Sequence, residues 1–240
     1  MQWLKSLVFV IQNAVTMLVL GIVFLPWALV SPRGARAACR SYTVWVRWTA
    51  RWMIGLKTEV RGPVPQDEVL IAAKHQSFLD IMMIFGECPS AKFIMKRELL
   101  WTPIIGLYAW RVGCVPVHRG KRGQAIAKML EDVEKGAADP GQLIIYPQGT
   151  RVAPGVVKPY KVGAALLYEQ TGQPCVPAAT NCGVFWPRSG ILRKPGLAVV
   201  EFLPRIEPGL EREAFLRRLE DEVEAASNAL LKEAGFDAQA

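Results

Sequence analysis

Val69-Leu70-Ile71-Ala72-Ala73-Lys74-His75-Gln76-Ser77-Phe78-Leu79-Asp80-Ile81-Met82-Met83-Ile84-Phe85 reads in succession as a buried strand, a short polar junction and an apolar helix. His75 then stands at the carboxyl end of the strand. That edge of an α/β sheet is where ligands bind, because the sheet is rigid while the loops leaving it are free to carry chemistry. Ser77 and Asp80 fit a capping box, which is a purely structural use of both residues. A carboxylate in the first helical turn also points back at the entering chain, where His75 lies. Held on one ring nitrogen by an acid, an imidazole has a fixed tautomer and a stabilised cation, as a general base requires. The spacing alone is compatible with the cap and with the base.

Further along, Leu143-Ile144-Ile145-Tyr146-Pro147-Gln148-Gly149-Thr150-Arg151 is a second apolar strand that breaks at a proline into a small polar loop. Gly149 lets the backbone approach a ligand, Thr150 offers a hydroxyl, and Arg151 offers a planar charged fork suited to phosphate oxygens. Ordinary turn chemistry with a surface arginine would look the same. Apolar runs near 58–61, 69–73, 91–95, 112–117, 142–147, 175–180 and 197–203 alternate with helical patterns, which predicts an α/β fold with a mostly parallel sheet of about seven strands flanked by helices. Gln124 to Lys135 has helical spacing and stops at Gly136, and Tyr160 to Tyr168 does so before Gly172. After Pro208-Gly209, the residues Phe215, Leu219, Val223, Ala226 and Leu230 share one helical face, which reads as core packing.

The charge is segregated. Residues 1–57 hold seven Lys or Arg and no Asp or Glu, which accounts for nearly all of the net charge of +8. These charges flank the apolar run Leu7 to Val30, whose main polar interruptions are Gln12, Asn13 and Thr16. The run is long enough to cross a bilayer and is closed by Pro26 and Ser31-Pro32-Arg33-Gly34. A second helix is expected from about Arg36 to Leu56, with Trp45, Trp48, Trp52 and Leu56 on one side. Arg40, Arg47 and Arg51 fall on the other, where they would meet lipid phosphates. The expectation is a membrane-embedded helical hairpin over 1–57 and a catalytic α/β domain over 58–240, with the hairpin either spanning or dipping into one leaflet. Lys5, the apolar stretch and Ala35-Arg36-Ala37 also allow a cleaved signal peptide, but the run is long for one, and Arg33 and Arg36 sit where a translocated segment rarely carries charge. The positive-inside rule puts the catalytic part on the cytoplasmic side of the cell inner membrane.

Several function classes are disfavoured. A nucleic-acid partner would call for basic and aromatic residues along a folded face rather than around an apolar run. The five cysteines are odd in number and lack Cys-x-x-Cys spacing, so neither a disulfide framework nor a zinc site is indicated. With His75 and His118 as the only histidines and no acidic cluster beside them, no metal is expected. A serine hydrolase would show a Gly-x-Ser-x-Gly elbow, which is absent. A non-catalytic basic membrane adaptor would need neither His75 nor Asp80.

Taken together, the two blocks resemble the glycerolipid acyltransferase family, specifically bacterial 1-acyl-sn-glycerol-3-phosphate acyltransferases, over about Thr58 to Pro204. Lys74 to Asp80 is similar to the family's His-x4-Asp block, with Lys74 replacing the usual asparagine and placing a positive charge beside the presumed base. Tyr146 to Arg151 is similar to its Phe-Pro-Glu-Gly-Thr-Arg block, with Gln148 in place of glutamate. Phe93 to Leu99, Val115 to Gly120 and Val176 to Asn181 resemble the remaining blocks. The resemblance implies that His75, oriented by Asp80, activates the sn-2 hydroxyl of lysophosphatidic acid for attack on an acyl thioester. It implies acyl-CoA or acyl-acyl-carrier protein as co-substrate and no other cofactor. Arg151, Arg119 and Lys96 become candidate phosphate ligands, with Gln148, Gly149 and Thr150 in the same substrate loop. Gln148 keeps a positioning role by hydrogen bonding, and backbone N–H groups near Gly149 are candidate oxyanion donors. Other lysolipids, including lyso-ornithine lipid, are alternative acceptors within the family.

Overall fold

The strand that begins the decisive stretch, β2 (Val69–Ala73), is buried along its whole length because it has neighbours on both sides and helices on both faces. It pairs in parallel with β5 (Gln142–Ile145) on one side and with β6 (Cys175–Thr180) on the other. The computed structural model describes residues 1–117, 131 and 141–236. Its seven-stranded sheet has the order β1-β7-β6-β2-β5-β3-β4, completed by β1 (Leu56–Arg61), β3 (Lys92–Lys96), β4 (Val115–Val117) and β7 (Gly196–Phe202). The sheet is mostly parallel. The exception lies between β6 and β7, which run antiparallel, so the β1/β7 pair points opposite to the other five strands. The carboxyl ends of β2, β5, β3, β4 and β6 therefore share one edge, and that edge positions the site.

Alternation sorts the strand residues between two cores. Val69, Ile71 and Ala73 pack with Ile144, Phe93 and Val176 beneath α4 (Phe78–Glu87) and the N-terminal helices. Leu70, Ala72, Leu143 and Ile145 pack on the opposite face against α6 (Gly163–Thr171) and α8 (Arg212–Glu233). On α8 the buried positions Phe215, Leu219, Val223 and Leu230 are those expected from the helical period. A four-residue helix, α7 (Cys182–Phe185), follows β6, and α5 (Ile105–Arg111) lies between β3 and β4. The expected helix over 124–135 lies, apart from Glu131, outside the described residues.

At the N-terminus, α1 (Gln2–Val23), α2 (Leu25–Val30) and α3 (Pro32–Thr49) are followed by a π-helical turn, Ala50–Ile54, that ends at Gly55 in the left-handed region. The run read as one apolar segment is broken at Phe24, and Pro26 falls in the first turn of α2, where its missing N–H costs nothing. By length and composition α1 could cross a membrane, and little of its apolar window is buried inside the molecule. Of its polar interruptions Asn13 is buried and Gln12 and Thr16 are half-buried. Gln12 accepts from Trp45 Nε1 at 2.7 Å and donates to Asn13 Oδ1 at 2.6 Å and Thr49 Oγ1 at 3.1 Å, which ties α1 to α3.

Two expectations for the second helix change. Leu56 does not continue the tryptophan face, because it begins β1 and is fully buried. Arg40 and Arg47 turn to protein rather than lipid: Arg40 donates to the carbonyls of Cys88 and Pro89, and Arg47 pairs with Glu87 at 2.6 Å and with Thr58 at 2.9 Å. Trp45, Trp48 and Trp52 are exposed as expected.

Candidate active site

Ser77 caps α4, accepting from the Leu79 N–H, while Asp80 completes the capping box. The cap is worth about 1 kcal/mol to the helix, and it leaves Asp80 a second oxygen. Asp80 Oδ2 accepts from the N–H groups of Gln76 and Ser77 at 2.8 and 2.7 Å, and Oδ1 lies 2.8 Å from His75 Nδ1. A carboxylate already engaged by two backbone donors is an acceptor toward the ring, so it holds the proton on Nδ1 and leaves Nε2 as the basic nitrogen. Asp80 is fully buried, whereas the His75 side chain keeps 12% of its surface exposed. The structural use of Asp80 and its use as an imidazole partner therefore coexist, one oxygen for each.

The ring of Tyr146, at the carboxyl end of β5, stacks on His75 with centroids 3.9 Å apart and planes 17° from parallel. Its buried hydroxyl lacks a well-aligned partner but lies beside Asp80; burial first, and then the carboxylate's charge, push the phenol well above its ordinary pKa. Sequence reasoning treated Tyr146 only as part of the strand. Its place in the block, where the family pattern has phenylalanine, is the one signal that could have marked it.

After Tyr146 the chain turns, with the Gly149 N–H donating to the Tyr146 carbonyl at 2.8 Å and Gly149 at φ +70°. Any Cβ at this position would meet Lys161 Nζ at 2.6 Å. Because its N–H closes the turn, Gly149 itself is not an oxyanion donor. The two loops are joined where Val152 N–H donates to the His75 carbonyl at 2.8 Å, so Arg151 is next to a residue bonded to His75. Arg151 and Thr150 are half-buried, and Arg151 Nη1 donates to the Arg188 carbonyl at 3.2 Å. Among the described residues no carboxylate lies in ion-pair contact with Arg151.

Lys96 ends β3 at the same sheet edge, but its partner there is Glu98, 3.4 Å away, and by alternation it shares the face of Ile94 rather than that of Phe93 and His75. Arg119 and His118 lie outside the described residues. Gln148 is buried, and its amide donates to the Lys158 carbonyl at 3.2 Å and approaches Glu224 at 3.5 Å. Lys74 leaves the strand on the side opposite His75 and pairs with both oxygens of Glu224, so its charge is not directed at the imidazole. Beyond Phe78, an apolar cleft of about 190 Å³ opens between α1, α3, α4 and α5, lined by Leu20, Tyr42, Met82 and Phe85 among others. The edge thus combines a basic ring nitrogen, a cationic fork and an adjoining apolar recess, which suits proton abstraction from an amphipathic alcohol.

A family model described as Acyltransferase matches residues 57–181, a span that runs from β1 to the residue before α7. The chain belongs to the Acyltransferase family. The 1-acyl-sn-glycerol-3-phosphate acyltransferase of Pseudomonas aeruginosa is 27% identical over 180 residues, covering 74% of this chain and 70% of that protein. Human 1-acyl-sn-glycerol-3-phosphate acyltransferase alpha is 33% identical over 131 residues, but this chain spans only 46% of its length. The crystal structure of the 1-acyl-sn-glycerophosphate (LPA) acyltransferase PlsC from Thermotoga maritima superposes with a TM-score of 0.78 over 95% of each chain at 20% identity. At that identity the likeness concerns the fold, and it bears out the α/β architecture with its N-terminal apolar helix.

Proposed function

We propose that this acyltransferase is a 1-acyl-sn-glycerol-3-phosphate acyltransferase that converts lysophosphatidic acid to phosphatidic acid using a His75–Asp80 general base. The observation carrying the mechanism is the 2.8 Å contact between Asp80 and His75 Nδ1, with Asp80 buried and fixed by two backbone N–H groups. Nε2 takes the proton of the sn-2 hydroxyl as its oxygen attacks the acyl thioester carbonyl. The tetrahedral intermediate then expels the thiolate, which receives that proton from the imidazolium, giving an ester and a free thiol. Asp80 stabilises the transient cation and the Tyr146 ring fixes its plane. Arg151, with Thr150 beside it, is assigned to the acceptor phosphate, Arg119 is a further candidate on the resemblance alone, Lys96 is disfavoured by its place on the opposite face, and the cleft behind Phe78 suits an acyl chain.

The same reading places the N-terminal helices in the inner membrane, with the site on its cytoplasmic side, and takes acyl-CoA or acyl-acyl-carrier protein as donor. The test is purified protein offered lysophosphatidic acid and lyso-ornithine lipid in turn, each with both donors. Phosphatidic acid formation is expected, and His75→Ala should lower it by about 10³-fold or more while vesicle binding stays intact. Transfer by the purified variant at an undiminished rate would refute the assignment of the base.

A further inference from the structure

Lys74 and His75 are adjacent in sequence and project to opposite faces of the sheet. On the His75 face lies the pair just described; on the other face lies a buried cluster that the mechanism does not use. The Lys74 side chain is only 3% exposed, and its ammonium sits 2.6 and 2.7 Å from the two carboxylate oxygens of Glu224 on α8. The same Glu224 Oε1 accepts from Tyr160 at 3.0 Å and is approached by Gln148 Nε2 at 3.5 Å. Burial and the neighbouring carboxylate push Tyr160 far above its ordinary pKa, so its hydroxyl stays a donor.

One carboxylate on the last helix therefore holds the residue immediately before His75 and makes a long contact with a residue three places before Arg151. Besides tyrosine for phenylalanine at 146, the two sequence blocks depart from the resembled pattern at these two positions, lysine for asparagine at 74 and glutamine for glutamate at 148. At both, the departing side chain meets Glu224. A buried ammonium without a counter-ion is costly, so the pair constrains the chain strongly at the end of β2. With Val152 N–H bound to the His75 carbonyl, the loops are joined on one face and tied to α8 on the other.

We propose that Glu224 is a positioning residue for acyl transfer: through Lys74 and Gln148 it sets the placement of the imidazole relative to the loop bearing Arg151. This rests on the acyltransferase mechanism proposed above. Glu224 touches no reacting atom; it acts on geometry, where displacements near an ångström matter to rate.

The test measures kcat, KM for both substrates and melting temperature on the full chain. Glu224→Gln should lower kcat about 10- to 100-fold with KM little changed. Because that variant strands a buried ammonium and could fail to fold, the paired variant Lys74→Gln/Glu224→Gln removes both charges. It should melt near the wild-type temperature and still lose kcat. Relocating the carboxylate in Gln148→Glu/Glu224→Gln, against an unchanged Lys74, should bring kcat back to within about threefold of wild type. A folded neutral pair with wild-type kcat, or a folded relocation variant no better than Glu224→Gln, would overturn the proposal. Wild-type protein inactive with every acceptor and donor would instead remove the mechanism on which it stands.

Discussion

The sheet edge and the N-terminal helices arrange polar and apolar side chains in opposite senses. At the edge, Asp80 is withdrawn from solvent and its oxygens are engaged by backbone and imidazole, with apolar side chains of two cores packed behind it. In α1 the polar side chain of Asn13 is turned inward, while Val8, Ile11, Val15, Leu18 and Val19 face outward. Exposing a large aliphatic side chain to water forgoes about 1.5–3 kcal/mol, and a continuous stripe of them is unusual on a protein whose surroundings are aqueous. In both regions most buried polar groups find partners, the exceptions including Asn13 Nδ2 in α1 and the Tyr146 hydroxyl at the edge. On the proposed function they differ in what lies outside: water and an acyl thioester at the edge, and hydrocarbon along the stripe.

The largest expected effect breaks the edge. Asp80→Asn keeps the size of the side chain but adds an amide N–H₂, which must face either the Gln76 and Ser77 N–H groups or His75 Nδ1. The two backbone donors select the orientation with the amide oxygen on their side and the N–H₂ toward His75, so the ring loses the acceptor that keeps its proton on Nδ1. The rate should fall by about 10²- to 10⁴-fold in kcat, with KM and circular dichroism close to wild type. Unchanged kcat would reduce Asp80 to a helix cap.

Next in size is Arg151→Ala. A charge-assisted hydrogen bond to phosphate contributes about 1.5–3 kcal/mol, so kcat/KM for a phosphate-bearing acceptor should drop by roughly 10- to 100-fold. A neutral lysolipid acceptor should lose far less. Equal losses on both acceptors would argue against phosphate contact and for a role in holding the 186–193 segment through the Arg188 carbonyl.

The edge was more legible in sequence than what stands behind it. Short continuous apolar runs ending in polar junctions located β2 and β5, and the offset from Ser77 to Asp80 marked the start of α4, because these signals are local. The placement of Lys74 opposite His75 follows from strand alternation, but its partner is 150 positions along the chain. Glu224 stands next to Val223 on α8, and nothing in a helical pattern distinguishes an exposed glutamate from one that reaches a neighbouring loop. The helical wheel likewise gave the phase of α3 correctly and its surroundings incorrectly. Arg40 and Arg47 are opposite the tryptophans as expected, but α4 and β1 cover that face. A wheel shows which side chains share a side and carries no information on what covers them.

That correction sharpens the comparison on its membrane side and sets the smallest expected effect. With Arg40 and Arg47 held by protein carbonyls and Glu87, the basic excess of residues 1–57 is partly internal, so attraction to anionic lipid is weaker than the composition suggests. The exposed tryptophans remain. Trp48 and Trp52 pack against each other at 5.6 Å between centroids, and neither is assigned a role at the sheet edge, so Trp48→Ala/Trp52→Ala removes interfacial area alone. Binding to vesicles of neutral lipid should weaken by about five- to tenfold, while kcat with detergent-dispersed substrates stays at the wild-type value. On vesicles that also contain anionic lipid, raising the ionic strength should weaken wild-type binding less than the double substitution does. If salt proved the stronger lever, exposed cations such as Arg33 and Arg51, rather than the tryptophans, would carry the contact with lipid.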